Sequence, residues 1–264
     1  MSRLELGALS GQNPLGLLAA LGAVDGIDRL RPELRVRLSW TDTLVPRAVL
    51  TGIDSLDEVV SILDCDREEW CASVILNWGP DGAPLDVVKP SAEDARRWVK
   101  AVMDGDGPRT AAEVTLLAAL FAEGAVDEKG TKTKPTHLDF TAGQLRFLAS
   151  VRRLAGSVDP GRLHEALAGP WRYDSKDLPV LRWDIRGERV YALRATDPSE
   201  SKNKEHGVPG ADWLAFVGLS FFPVWPRRGK LVTTGCSERW KSSSLTWPLW
   251  SAELRPMVIR SLLR

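Results

Sequence analysis

The stretch LELGALSGQNPLGLLAALG, residues 4–22, combines a short strand, a turn and the start of a helix. Asn13 is a favourable N-cap, because its side chain can accept a hydrogen bond from an unpaired amide of the first helical turn. Pro14 then occupies the first helical position, where no amide hydrogen is needed. Apolar or small residues follow on every face of the predicted helix, which is typical of a helix buried in a core.

Glycines in this helix predict how it packs. Gly16 and Gly22 each cost about 1 kcal/mol in helix propensity relative to alanine, so their presence indicates that a neighbouring backbone approaches closely. A second helix that is apolar nearly all round is predicted over residues 209–222, and its segment LAFVGL (214–219) repeats the pattern of LAALGA (18–23). We therefore predict that the two helices pack side by side in the core, with glycine at the contact.

The turn before the first helix has two interpretations. Free amides of Gly11, Gln12 and Asn13 at a helix N-terminus would suit a phosphate group. The alternative, which is favoured, is a buried scaffold helix without a ligand.

Length and composition indicate an ordinary globular protein. The chain has 264 residues, of which 44% are hydrophobic and 27% are charged, as in soluble domains generally. Its longest apolar run, residues 14–24, is too short to cross a bilayer and makes a poor secretory signal. Three cysteines (Cys65, Cys71 and Cys236) in so long a chain fit a reducing compartment better than a disulfide framework, so we expect a cytoplasmic protein.

Charge is unevenly distributed along the chain, although the formal net charge is zero. Residues 42–89 carry 10 acidic and 3 basic side chains, a net of −7, whereas residues 226–264 carry 8 basic and 2 acidic ones, a net of +6. Five of the eleven tryptophans lie between Trp213 and Trp250. Opposed charges of this kind predict contact with a polyanion at one region and with a basic partner at the other.

The remaining patterns predict an α+β fold. Capping boxes predict helix starts at Ser55, Thr110 and Thr141, and further helices are predicted after Ser91 and over residues 160–167 and 252–263. Alternating patterns predict strands at 36–40, 136–140, 180–185, 189–194, 231–234 and 245–250, and polar stretches predict loops at 127–135 and 197–207. Because no linker is evident, we expect a single α+β domain over 1–264 with buried apolar helices packed on a mainly antiparallel sheet. Any sub-boundary would be weak and near 156–160.

Recognisable catalytic and metal-binding motifs are missing from the sequence. No Gly-x-Gly-x-x-Gly follows a strand, no phosphate loop is present, and the histidines and cysteines lack the spacing of zinc ligands. His137 and Asp139 would share one side of the predicted strand 136–140, either as a general-base pair or, as favoured here, as a structural hydrogen-bonded pair. We therefore expect a binding or scaffolding protein without a metal or cofactor. An enzyme is the less favoured alternative.

The most site-like residues are cations and an aromatic side chain near the end of the sequence. They lie in segments rich in serine and threonine. The residues are Arg227, Arg228, Lys230, Arg239, Trp240 and Lys241. Such residues suit a nucleic-acid backbone with one base stacked on the tryptophan. The alternative is a solvated basic surface.

Three stretches together resemble a known family. They are LSGQNPLG (9–16) with AALG (19–22), LDFTAGQ (138–144), and LAFVGL (214–219) followed by FP (222–223). Their order is similar to that in proteins encoded with type I-G (formerly I-U) CRISPR-Cas systems, where relatives often carry cysteines in place of Ala19 and Ala20. The resemblance implies an accessory or effector subunit of RNA-guided antiviral defence, with no catalytic residue to assign.

These patterns together favour a non-catalytic subunit of a CRISPR-type ribonucleoprotein complex. In this hypothesis the acidic region meets a basic partner subunit, and residues 227–241 meet guide RNA or target DNA. One alternative is a hydrolase or nuclease with a site built on His137, Asp139 or His206. Another is a protein-only adaptor, which would expose a tryptophan patch and lack a basic groove.

Overall fold

The computed structural model describes residues 2–105, 107, 109–140, 146–175, 177–185, 206–237 and 243–264. Over these ranges the chain combines α-helices with small antiparallel sheets. Two of the described helices are apolar and almost completely buried. The α+β class predicted from the sequence is confirmed.

The described elements have the following bounds. The α-helices are α1 (Pro14–Leu30), α2 (Leu56–Cys71), α3 (Val74–Asn77), α4 (Ala92–Met103), α5 (Thr110–Leu120), α6 (Phe147–Ala155), α7 (Pro160–Ala168), α8 (Pro209–Gly218) and α9 (Pro256–Leu263). The strands are β1 (Arg3–Ser10), β2 (Arg37–Trp40), β3 (Arg47–Thr51), β4 (Phe121–Val126), β5 (Thr133–Pro135), β6 (Val224–Arg227) and β7 (Lys230–Thr233). Short 3₁₀ helices cover Pro32–Leu34 and Leu219–Phe221.

The chain forms two compact units, and each unit is assembled from three separate stretches. The first unit contains residues 1–68, 153–218 and 249–256, and the second contains 69–152, 219–248 and 257–264. The strands pair in three antiparallel sheets, with the orders β1-β3-β2, β4-β5 and β6-β7. The first sheet belongs to the first unit, and the two hairpins belong to the second.

Close packing of α1 against α8 forms the core of the first unit. Every residue of α8 is buried, as are 13 of the 17 residues of α1. A Cβ atom built at Gly22 would lie 1.9 Å from the carbonyl oxygen of Leu214, and one built at Gly218 would lie 2.0 Å from the carbonyl oxygen of Leu18. Neither position has room for a methyl group, because the nearest atoms belong to the backbone of the opposite helix. The predicted side-by-side packing with glycine at the contact is confirmed.

The three-stranded sheet packs beside these helices in the first unit. β3 is the central strand, and its Leu50 lies opposite Leu4 of β1 and Leu38 of β2. All the β2 residues after Arg37 are buried, so the strand predicted at 36–40 is confirmed. β1 also contacts α7, which links the start of the chain to the helix predicted at 160–167.

Aromatic stacking organises the core of the second unit. The indole of Trp98 in α4 is fully buried. It stacks on Trp78, with ring centroids 5.6 Å apart and planes 7° apart, and on Phe121, with centroids 5.4 Å apart. Since Phe121 is the first residue of β4, this stack fixes the β4–β5 hairpin to the helices.

The region around residue 136 differs from its predicted structure. Residues 136–140 form an irregular segment with a turn at 137–138 rather than a strand. The amide of Thr136 donates to the carbonyl of Leu120, and that of His137 donates to the hydroxyl of Thr233. Part of the predicted loop 127–135 is instead β5, which pairs with β4. The alternating pattern lies a few residues later in the sequence than the true strand.

Other predicted boundaries also differ. Residues 180–185 are irregular, and 245–250 form only an isolated bridge at Leu245, because their backbone groups bind partners outside any ladder. The closing helix starts at Pro256 rather than 252, since proline suits the first helical position. Thr110 is the first residue of α5 instead of its N-cap. Glu113, the other residue of the predicted capping box, accepts a hydrogen bond from the amide of Val74. The predictions at 141–144, 189–194 and 197–205 lie outside the described residues.

Candidate nucleic-acid interface

A tight hairpin in the second unit carries three of the six predicted site residues. Strands β6 and β7 pair antiparallel, with Arg227 opposite Lys230. The two residues between them, Arg228 and Gly229, have φ angles of 52° and 73°. Positive φ at both central positions is the geometry of a two-residue type I′ turn, and glycine adopts it without a steric penalty.

The end of this hairpin is strongly cationic. Arg227, Arg228 and Lys230 are all exposed, and residues 224–237 contain no acidic side chain. The next residues of β7, Leu231 to Thr233, are buried, so the hairpin is held by its base while its tip remains in solvent. The three cations are therefore brought together on a supported surface.

The other three predicted site residues, Arg239, Trp240 and Lys241, lie outside the described residues. The described part of the hairpin carries a further aromatic side chain that was not predicted from the sequence. Trp225 of β6 exposes 44% of its surface and precedes Arg227 by two positions, which places both side chains on one face of the strand. In the sequence, this arrangement is indicated by a tryptophan and an arginine two positions apart directly before the Arg228-Gly229 pair.

The neighbouring β4–β5 hairpin is less suited to bind a polyanion. It packs on β6, where a Cβ atom built at Gly124 would lie 3.1 Å from the ring of Pro226. Residues 121–135 have no net charge, since they contain three lysines, Lys129, Lys132 and Lys134, and three carboxylates, Glu123, Asp127 and Glu128. The positive charge of this part of the chain is therefore concentrated at the β6–β7 tip.

Much of the acidic region is neutralised within the chain. Six of its ten carboxylates form ion pairs with arginines, namely Glu58, Asp64, Asp66, Glu68, Glu69 and Asp86. Asp66 is the most buried of these, and it pairs with Arg29. The negative charge that a partner would meet is smaller than the sequence count of −7 suggests.

The turn before α1 is occupied by internal hydrogen bonds. The amide of Gly11 donates to the carbonyl of Pro46 at 2.9 Å, and that of Asn13 donates to the carbonyl of Ser10 at 3.2 Å. The amide of Gln12 donates to the Ser10 hydroxyl at 3.3 Å. The phosphate-binding interpretation of this turn is therefore wrong.

Asn13 instead caps α1 and joins a partly buried network. Its Oδ1 accepts from the amide of Leu15 at 3.1 Å, which confirms the predicted N-cap. Its Nδ2 donates to Asp184 Oδ1 at 2.7 Å, and the hydroxyl of Tyr173 donates to Asp184 Oδ2 at 2.6 Å. This network fixes the start of α1 within the first unit.

His137 has the environment of a structural residue. Its side chain is buried, and Nδ1 lies 2.8 Å from the hydroxyl of Thr233 in β7. Burial lowers the pKa of the imidazole, which favours the neutral ring. Asp139 is in the same turn, where its amide donates to the carbonyl of Thr136. His206, the other residue considered for a catalytic site, belongs to the first unit.

Metal-ligating side chains are not clustered in the part of the chain that the structure describes. There, no three histidine, cysteine, aspartate or glutamate residues are grouped so that they could hold a metal ion. Cys65, Cys71 and Cys236 are all described, and none of them forms a disulfide bond.

A second surface lies in the loop between β2 and β3. Leu44 exposes 91% of its surface, although the loop is ordered by hydrogen bonds. Gln12 Nε2 donates to the Leu44 carbonyl at 3.0 Å, and the amide of Arg47 donates to the Thr41 hydroxyl at 2.8 Å. The loop borders a cleft of about 260 Å³ lined by Trp40, Thr41, Asp42, Thr43, Pro46, Leu249, Trp250 and Ser251. Leu44 and the adjacent Val45, which exposes 40% of its surface, form a small exposed apolar patch in this loop.

Comparison of the chain with protein-family models, with curated proteins and with solved structures gave no match. Among the described helices, none has the length and apolar character that crossing a membrane requires.

Proposed function

We propose that this protein is a non-catalytic subunit of a CRISPR-type RNA-guided antiviral ribonucleoprotein complex and contacts nucleic acid through the tip of the β6–β7 hairpin. The main support is the exposure of Arg227, Arg228 and Lys230 around a two-residue turn without an acidic neighbour in the hairpin. Cations of this kind neutralise phosphates and bind without sequence preference. The assignment to a CRISPR-type complex rests on the resemblance of residues 9–22, 138–144 and 214–223 to that family.

The residue at the centre of the turn supports a binding role. Arg228 has a left-handed backbone conformation, which costs a residue with a Cβ atom about 1 kcal/mol relative to glycine. Asparagine or aspartate tolerates this conformation better than arginine does. Since the exposed Arg228 side chain adds nothing to the core, its positive charge is the property that a ligand would use.

The proposal includes contact with a basic partner subunit through the acidic region. The loop at residues 42–46 is the best-suited part of that region, because it combines the exposed carboxylate of Asp42 with the projecting side chain of Leu44. Its internal hydrogen bonds reduce the entropy that would be lost when a partner binds. The partner surface that fits this loop carries a cation beside an apolar recess.

Binding of labelled RNA and DNA, measured by fluorescence anisotropy over a range of salt concentrations, tests the nucleic-acid contact. The variant Arg227→Ala/Arg228→Ala/Lys230→Ala removes three phosphate-neutralising charges. We expect weaker binding, and we expect the slope of log K against log salt to become shallower by about 2 for a single strand and about 3 for a duplex.

The matched control is Lys89→Ala/Lys100→Ala/Arg264→Ala, which removes the same charge from exposed positions outside the hairpin. It should keep the wild-type slope. An equal loss of slope in both variants would show that only net charge matters, and absence of binding by the wild-type chain at low salt would refute the nucleic-acid contact.

Co-expression with the proteins encoded beside it and with a guide RNA tests the assembly. The proposal requires that the chain elute with both components in a single complex on size exclusion. Elution as an isolated chain in all combinations would refute membership of a CRISPR-type complex, whatever the outcome of the binding measurements.

A further inference from the structure

The β6–β7 hairpin places an aromatic ring beside two of its cations. Trp225 lies opposite Val232, and Arg227 lies opposite Lys230. In an antiparallel pair, directly opposite residues share a face, as do residues two positions apart on one strand. Trp225, Arg227 and Lys230 therefore lie on the same face of the hairpin.

Trp225 differs from most tryptophans of the chain in its environment. Seven of them are at least nine-tenths buried: Trp40, Trp70, Trp98, Trp171, Trp183, Trp213 and Trp250. Trp225 instead exposes 44% of its surface, although Val232 opposite it is buried. Its ring therefore does little to fill the core, and a large part of it is available to a ligand.

An exposed indole beside cations distinguishes single strands from duplexes. Every base has a face that can stack on an aromatic ring, and such stacking tolerates any sequence. In a duplex these faces are covered by neighbouring bases, so that only the phosphates remain available to the hairpin. A surface with cations alone would bind both forms, whereas one with an added ring gains energy only from unpaired bases.

We propose that the face formed by Trp225, Arg227 and Lys230 binds single-stranded RNA or DNA, with one unpaired base stacked on the indole and the adjoining phosphates on the two cations. The inference rests on the proposed function and adds the class of nucleic acid. It assigns to Trp225 the stacking role that the sequence suggested for Trp240.

The test compares Trp225→Ala and Trp225→Phe for binding to a short single strand and to a duplex of the same sequence. Loss of one stacked base lowers affinity by roughly 5- to 150-fold, so Trp225→Ala should weaken single-strand binding within this range and leave duplex binding unchanged. The salt slope should stay at its wild-type value, because no cation is removed. Trp225→Phe keeps a ring and should retain most of the affinity.

A strand containing one 2-aminopurine gives an independent readout, because stacking on the indole quenches its fluorescence. Quenching by the wild-type protein should be lost in Trp225→Ala and kept in Phe140→Ala, which removes another exposed aromatic ring of the second unit. Unchanged single-strand affinity in Trp225→Ala, or an equal loss for both nucleic acids, would overturn the stacking while leaving the cationic contact intact. Failure of the wild-type protein to bind either form would overturn the proposed nucleic-acid contact together with this inference.

Discussion

Replacement of Gly22 by alanine tests the packing of α1 against α8. The new Cβ atom would lie 1.9 Å from the carbonyl oxygen of Leu214 and 2.8 Å from its carbonyl carbon. A close carbon–oxygen contact needs roughly 3.3 Å. Because the Cβ atom would have only 1.9 Å, the two backbones would have to separate by about 1.4 Å. The obstructing atoms are main-chain atoms, which cannot move aside by a rotamer change.

Two opposing effects determine how much this substitution changes the free energy of unfolding. Alanine is favoured over glycine inside a helix by about 1 kcal/mol. Overpacking a core costs about 1–3 kcal/mol, and the upper end applies because every residue of α8 is buried. We expect the free energy of unfolding of Gly22→Ala to fall by about 2 kcal/mol, the difference between these two terms.

Urea denaturation of Gly22→Ala and Gly161→Ala measures this effect against a matched control. Gly161 lies in α7, where the nearest atom to an added Cβ would be Asp159 Oδ1 at 3.4 Å, an ordinary contact distance. Gly161→Ala should therefore be neutral or stabilising by up to about 1 kcal/mol. The two substitutions are chemically identical, so only Gly22→Ala should lower the free energy of unfolding.

The double variant Gly22→Ala/Gly218→Ala adds a test of the geometry. A Cβ atom at either position would also lie about 3 Å from the amide nitrogen of the other glycine, so both substitutions force apart the same contact. The second should cost less than it does alone. A Gly22→Ala variant as stable as the wild-type protein, or strict additivity in the double variant, would refute the proposed close approach.

Two further substitutions probe buried polar groups. Arg29→Met removes the ion pair between Arg29 and the carboxylate of Asp66, which is 2% exposed, and should destabilise the protein by about 3–5 kcal/mol. In urea denaturation the double variant Arg29→Met/Asp66→Leu should recover much of this loss, and no recovery would contradict the reasoning. Burial lowers the pKa of His137 in the folded protein. Below about pH 6.5 this imidazole therefore takes up a proton in the unfolded chain but not in the folded one. Stability is lost as the pH falls through this value. His137→Gln lacks this component and should lose less stability than the wild-type protein between pH 7 and 5, and parallel pH profiles would show that His137 is not responsible.

Local sequence was sufficient wherever structure depends on neighbours along the chain. The Asn13-Pro14 start of α1 is a matter of capping one helical turn, and the apolar content of α1 and α8 requires burial on all sides. Even their mutual contact was predictable, because a glycine kept at a helical cost needs a close neighbour. The ion pairs that neutralise six carboxylates could not be predicted from the sequence, since most of them join residues far apart in the chain.

The predicted strands that failed show the limit of periodicity. Residues 180–185 and 245–250 have apolar residues suited to strands, but their carbonyls accept from distant amides: Trp183 from Leu15, and Trp250 from Trp40. Whether an extended segment pairs in a ladder depends on which backbone groups are free beside it, and pairing partners are chosen in three dimensions. The same cause placed β5 at Thr133–Pro135 instead of a few residues later.

The candidate site divides in the same way. Clustered cations and an Arg-Gly pair are visible in the sequence, and a two-residue turn requires positive φ, so a basic tip near residue 228 follows from local chemistry. The proposed role of Trp225 could not be predicted from local sequence, because tryptophan serves equally well in a core or on a surface. Burial of β7 and packing of β4 against β6 leave this one ring in solvent beside Arg227 and Lys230, and that outcome depends on contacts between segments about a hundred residues apart.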